Sequence, residues 1–281
     1  MWILNTIAAT LLLSLSTIFL KCKTKRTDAS VVTALRTLIV AIFMWIALLT
    51  DDKVSSLSSA SGDDWLYLLL TALAMTIGLI CYHISLKNGS ATGVTALSRS
   101  VQLIIMILLI AIFDCTSLLY LRIICIILIA AGIMLAITKK QRSGGQWILF
   151  GLLASIAVST AFIFNSSIQQ QALTSVLTVT AILLFSLTAV FIKCLQHGIG
   201  KIPLNEFIFI IISGVCSGGA WLFYQFANSD ASTTNLTAII SMSLITTAVL
   251  SAMLTREKIS WKTVCGILLI TTGTLLYTFL I

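Results

Sequence analysis

The sequence predicts an all-α integral membrane protein in which ten transmembrane helices form two inverted five-helix repeats around a central cavity. Three observations predict it. Of the 281 residues, 59% are hydrophobic and 9% charged, against roughly 25% charged in a soluble domain. The apolar residues come in continuous runs such as 101–113 and 123–137, which read as helices. The second half of the chain also repeats the order of the first.

The composition excludes whole classes. A water-soluble globule with a mean hydropathy of +1.10 would expose apolar surface that it could not hide, so soluble enzymes and disordered chains are ruled out. A membrane β-barrel needs short alternating strands, which are absent from the pattern. One proline and 15 glycines exclude collagen-like and linker-rich chains. The seven cysteines, at 22, 81, 115, 125, 194, 216 and 265, show no CxxC spacing. They imply neither a disulfide framework nor a metal site and are expected to pack as small apolar residues. No cofactor is implied. The run 2–20 has no basic leader region and no small-residue cleavage site, so it is read as a retained first helix and not a signal peptide.

Polar breaks divide the chain into expected spans at 2–20, 31–49, 65–86, 92–113, 120–138, 147–165, 173–193, 205–226, 234–254 and 261–280, each close to the roughly 20 apolar residues that cross a bilayer. The longest break, 50–64, carries Asp51, Asp52, Lys53, Asp63 and Asp64 and is too short for a domain. An even number of spans puts both termini on one side. Loops after odd-numbered spans hold thirteen lysines and arginines, Lys21, Lys87, Lys139 and Lys262 among them. Loops after even-numbered spans hold Lys53 and Arg122, while Arg36 and Arg99 lie inside spans. The positive-inside rule therefore expects odd loops in the cytoplasm and both termini outside, in a plasma or inner membrane. The net charge of +8 serves that orientation and not nucleic-acid binding. The expected partners are the lipid bilayer and a small-molecule substrate, with the protein a monomer or a homodimer.

The repeat is visible residue by residue. Trp2-Ile3-Leu4 matches Trp147-Ile148-Leu149, and the same offset pairs Ser14 with Ser159 and Ile18-Phe19 with Ile163-Phe164. Slightly shorter offsets pair Gly78 with Gly218, Asn88 with Asn228, Ser100 with Ser243 and Asp114 with Glu257. Two units are expected, 1–140 and 145–281. Five spans per unit force the second to start on the opposite side, so the units are inverted. Two inverted halves that exchange conformations turn an outward-facing cavity inward, which makes a secondary transporter the expected activity.

The segment 243–261, with Glu257 and Trp261 followed by Gly266 and Gly273, resembles the drug/metabolite transporter superfamily of EamA type. The first half echoes it in Ser100, Asp114 and Gly132, and Lys21 with Arg36 match a lysine of the family's first span and an arginine of its second. Two departures stand out: Ser100 and Ser243 replace the family's helix-breaking prolines, and Asp114 stands where glutamate is usual. Members commonly keep both termini in the cytoplasm, opposite to the charge count here. The resemblance implies a ten-helix bundle that moves small metabolites through a cavity lined chiefly by spans 1, 3, 4, 6, 8 and 9.

Polar groups inside spans are the candidate substrate-binding residues, because each needs a partner or a wet cavity. Arg99 lies about seven residues, roughly 10 Å, into span 4 at 1.5 Å per residue. Thr92, Thr95, Arg99 and Gln102 share its helix face, making Arg99 and Gln102 candidates for binding a carboxylate or phosphate. Arg36 is shallower, and snorkelling or helix pinning is its expected role. His83, with Thr76 and Lys87 on one face, is a candidate cavity residue or proton relay. Lys87 itself is expected at the interface.

Span 1 carries Thr10, Ser14, Thr17 and Lys21 in one stripe, mirrored by Ser155, Ser159, Phe162 and Ser166 in span 6. Ser14 is the candidate lining residue there, helix packing being the other reading of such stripes. Span 8 offers Ser217, Trp221, Tyr224 and Asn228 with Gln225 alongside, rings on which a substrate could stack. Gly214 and Gly218 read as a close-contact pair. Asn165 and Gln169 read as caps, and Asp114 and Glu257 as helix-end contacts.

No Asp or Glu lies deep in any span. An exporter of organic cations needs a buried carboxylate, so the expected substrates are anionic, zwitterionic or neutral, amino-acid-like compounds included, moved by facilitated diffusion or exchange. An enzyme is not expected: HExxH and GxSxG are missing, and only His83 and His197 could serve a triad. A channel lacks the necessary filter pattern. A non-transporting sensor or assembly subunit on the same fold is the alternative.

Overall fold

The computed structural model describes residues 2–23, 26–50, 61–113, 119–137, 145–166, 180, 183–185, 187–189, 202–228, 243–257 and 259–280. They form nine α-helices: α1 (Trp2–Lys23), α2 (Ala29–Thr50), α3 (Gly62–Asn88), α4 (Ala91–Phe113), α5 (Leu119–Ala136), α6 (Gly145–Ser166), α7 (Leu204–Asn228), α8 (Ser243–Leu250) and α9 (Trp261–Leu280). Most of the expected seventh span lies outside the described residues, and its described positions 180, 183–185 and 187–189 are helical. Among the described residues, seven helices are long and apolar enough to cross a membrane. Lipid offers no hydrogen bonds to a backbone, so a run of that length satisfies its own amides by coiling.

Helix ends are set by local chemistry. The Ser61 hydroxyl accepts from the Asp64 N–H at 3.2 Å while Asp64 Oδ2 accepts from the Ser61 N–H at 2.9 Å, a reciprocal cap that starts α3. Glu257 stands at the N-terminus of α4 and accepts the Ala91 N–H at 3.0 Å, where the helix dipole favours a carboxylate. The end of α8 is wound as a π-turn, Ser251–Thr255, and Arg256 follows at φ 52° with its N–H on the Ser251 carbonyl. α4 runs through Ser100 without a break; serine keeps the N–H that proline lacks.

The helices pair with two-fold pseudo-symmetry. α3 packs along α6 as α7 packs along α1, and α4 meets α6 as α8 meets α1. α5 pairs with α9, and α4 with α8, each across the axis. On α5, Gly132 faces Gly266 and Ile270, whereas Cys125 and Ile129 face Gly273. Numbers rise along one helix as they fall along the other, so these repeat-equivalent helices run antiparallel and the repeats are inverted.

Small residues permit the close seams. A Cβ on Gly266 would come within 2.5 Å of the Ala136 backbone N, and one on Gly132 within 2.7 Å of the Gly266 carbonyl. Gly214 and Gly218 of α7 receive Ile39 and Phe43 of α2. Between α1 and α7, Ser16 and Ser213 donate to each other's carbonyls at 2.9 and 3.0 Å. Outer faces carry exposed apolar side chains such as Leu4, Ile46, Ile127, Leu149 and Leu268, a surface that only lipid stabilises. The chain is an all-helical, multi-pass membrane protein.

Candidate functional site

The polar side chains of the spans converge on a cavity of about 150 Å³ in the centre of the bundle. α1 supplies Leu13 and Thr17; α2 supplies Arg36, Thr37 and Val40; α3 supplies Thr71, Met75, Leu79, Tyr82 and His83; α4 supplies Ser98, Arg99 and Gln102. Opposite them stand Ser155, Val158 and Phe162 of α6, Ser217, Trp221 and Tyr224 of α7, and Thr180 and Leu184. Five sequence candidates thus share one wall system: Arg99, Gln102, His83, Trp221 and Tyr224. Gln225 belongs to α7, but its side chain is outside the described residues.

Other expectations need correction. Ser14 is not in the cavity wall. Its hydroxyl faces the carbonyls of Thr10 at 2.8 Å and Ser243 at 3.0 Å and touches the Thr246 hydroxyl, so it ties α1 to α8. Span 9 adds no described lining residue: Ser243 and Thr246 of α8 meet Ser14 of α1, and the Ser251 hydroxyl meets that of Thr92 of α4 at 2.8 Å. Span 2 takes its place. Of the two roles expected for Arg36, helix pinning holds and snorkelling does not: it is 8% exposed, bonded to α3 and α7, and also sits in the cavity wall. Thr95 and Thr92 share the expected helix face with Arg99, yet only Arg99 and Gln102 reach the cavity.

Arg36 organises the first-half side. Its Nη1 donates to His83 Nε2 at 3.1 Å and its Nη2 to Ser217 Oγ at 3.0 Å, pinning α2 to α3 and α7. A guanidinium can only donate, so Nε2 must accept, and a neutral imidazole then carries its proton on Nδ1. That nitrogen lies 2.6 Å from Thr33 Oγ1, whose own O–H donates to the Ala29 carbonyl at 2.7 Å. Both nitrogens of His83 are therefore engaged.

Arg99 differs. No described residue hydrogen-bonds its guanidinium, and the buried hydroxyls of Ser98 and Thr71, also in the wall, have no partner. The opposite wall is aromatic: Phe162 and Tyr224 meet edge-on with centroids 6.4 Å apart beside Trp221. The arrangement offers an open cation, hydroxyl and amide groups, and apolar ring faces. No carboxylate is among the lining residues.

One end of the bundle, where α1 and α3 finish and α2 and α4 begin, is tied shut by polar contacts. Lys21 Nζ donates to the Leu86 and Gly89 carbonyls at 2.8 and 2.5 Å, and Lys87 Nζ to the Thr27 carbonyl at 3.3 Å. Glu206 accepts the N–H groups of Arg26 and Thr27 at 3.1 and 2.9 Å, and Ser85 bonds the Trp147 carbonyl at 2.7 Å. A recess of about 20 Å³, lined by Lys21, Thr27, Lys87 and His83 among others, lies behind this closure. Glu257 acts here as the expected helix-end contact. Asp114 and Gln169 fall outside the described residues, as do the side chains of Asn165, Ser166 and Asn228.

Sequence reasoning missed Arg36, Ser98, Thr71 and Tyr82 as lining residues. The signal for Arg36 was available: a cation in an apolar helix needs partners, and His83 and Ser217, already candidate lining groups, stood in neighbouring spans. Ser98 and Thr71 carried no such signal.

Comparison with known proteins is consistent with this geometry. The model of the EamA-like transporter family matches residues 1–138 and again 145–279. A solved structure described as "Crystal structure of protein" superposes with a TM-score of 0.69 at 15% identity over 98% of each chain, which shows the fold alone. No curated protein matches the chain.

Proposed function

The chain belongs to the EamA-like transporter family, in the drug/metabolite transporter superfamily, and from that premise we propose that it is a secondary transporter of small metabolites bearing an anionic group. Arg99 is the observation that carries the reading. A cation with no hydrogen-bond partner among the described residues, in a cavity inside the membrane, is costly unless something negative occupies the cavity. Ser98 and Gln102 stand beside it to bind the same head group, with Trp221, Tyr224 and Phe162 against the apolar body of the substrate. Zwitterions fit the same site through their carboxylate, and neutral compounds through the hydroxyls and rings.

Alternating access follows from the two inverted halves: releasing the polar closure at the lysine-rich end while the opposite end closes moves the site across the bilayer. We orient the lysine-rich loops toward the cytoplasm and both termini outside, from the charge count.

The test is a thermal-shift screen of the purified full chain against amino acids, organic acids and phosphorylated metabolites, repeated with Arg99→Ala. A carboxylate or phosphate that raises the melting temperature of the parent protein and not of the variant supports the assignment. Liposomes that move quaternary ammonium compounds and ignore carboxylates would refute it.

A further inference from the structure

We propose that the protein is an obligate exchanger: its cavity passes through the closed-on-both-sides state only with an anion inside, so each anion that leaves is matched by one that enters. This rests on the anion reading above and adds the mode of transport to it.

The argument is one of charge balance. Arg36 and Arg99 place two cations in one cavity wall. All nine acidic residues lie at helix ends or in breaks between spans. Among the described ones, Glu206 and Glu257 are engaged at the closed end, with Glu206 on the N–H groups of Arg26 and Thr27 and Glu257 on that of Ala91. Among the described residues, no acidic side chain lines the cavity to balance it. The arginine-bearing helices are held by those same contacts, so the cations travel with the scaffold.

Alternating access requires a moment at which neither end is open. Water that solvates Arg99 in the cavity is then largely excluded, and an unbalanced cation in a low-dielectric space is strongly disfavoured. An anion changes the sign of that cost, because it neutralises charge and fills the unused hydrogen-bonding groups of Arg99 and Ser98. A carrier with its own cavity carboxylate could return empty as a neutral ion pair. Among the described lining residues there is no such pair. A proton does not substitute for the anion either, since a second proton on His83 would add charge and set two donors, His83 Nε2 and Arg36 Nη1, against each other at 3.1 Å.

The experiment uses the full chain in liposomes with radiolabelled phenylpyruvate, a carboxylate with a flat apolar body, and with potassium and valinomycin present so that charge build-up does not limit flux. Uptake is compared between vesicles preloaded with unlabelled phenylpyruvate and vesicles holding buffer. Exchange about 100-fold faster than net uptake is expected, from the cost of an uncompensated arginine in the membrane. Rates within about threefold of each other, too small a ratio for a charge barrier, overturn the exchange proposal and leave anion transport standing. Failure of phenylpyruvate to move in either mode removes the anion reading and this proposal with it. Arg99→Gln, which deletes one of the two charges, should shrink the ratio to about tenfold or less; an unchanged ratio overturns the charge explanation whatever the rate of either mode.

Discussion

The two halves build one scaffold and furnish it differently. α1 lies along α7 as α6 lies along α3, and each half closes with a helix laid on its counterpart. Yet Arg36, His83, Lys87 and Arg99 all belong to the first half, while the second contributes Phe162, Ser217, Trp221 and Tyr224. Packing positions and cavity positions are therefore free to diverge independently. The seams demand small residues wherever backbones approach, in both halves alike. The cavity wall makes no such demand, and its asymmetry gives the cavity a charged side and an aromatic side.

The largest expected effect breaks the charged side. Arg99→Ala should weaken a carboxylate ligand about 100-fold, the loss of a charge-assisted contact of about 2.7 kcal/mol, read as the ligand concentration needed for a given melting shift. The same variant should melt no lower than the parent without ligand, because it removes a cation that no described residue pairs. Trp221→Ala tests the aromatic side and should cost about tenfold in the same titration, the share of a ring contact of roughly 1.4 kcal/mol. Glu257→Gln weakens the acceptor at the start of α4 and should lower stability by about 1 kcal/mol, seen as a lower midpoint on thermal denaturation in detergent.

The smallest effects sharpen the comparison most. Ser14 and Ser159 occupy equivalent places in the two halves, but Ser14 bonds across to α8 whereas the buried Ser159 hydroxyl has no partner. Ser14→Ala should cost about 1 kcal/mol. Ser159→Ala should be neutral or slightly stabilising, since it removes an unsatisfied polar atom. Equal losses in the two denaturation curves would show that the halves are more alike than their contacts indicate.

Much of the fold was legible because lipid imposes length on helices: the expected span 92–113 is found as Ala91–Phe113 and 261–280 as Trp261–Leu280. Rotation about the helix axis was less legible. Counting residues into span 2 gave Arg36 a shallow depth, but depth says nothing of azimuth, and its side chain turns inward against His83 and Ser217. Span 9 was expected in the wall, and Ser243, Thr246, Thr247 and Ser251 do share one helix face; that face turns to α1 and α4, where Ser14 and Thr92 meet it. Ser14 shows the same limit, since a hydroxyl stripe reads alike whether it meets a metabolite or another helix. Arg99, Gln102, His83, Trp221 and Tyr224 were legible because lipid tolerates such groups only where something polar awaits them.

The contact of α5 with α9 carries a consequence for the protein's ancestry. Each half presents its final helix to its own counterpart, glycine upon glycine, as the subunits of an isologous two-fold dimer do. A single five-helix unit inserted in both directions would make this seam with itself.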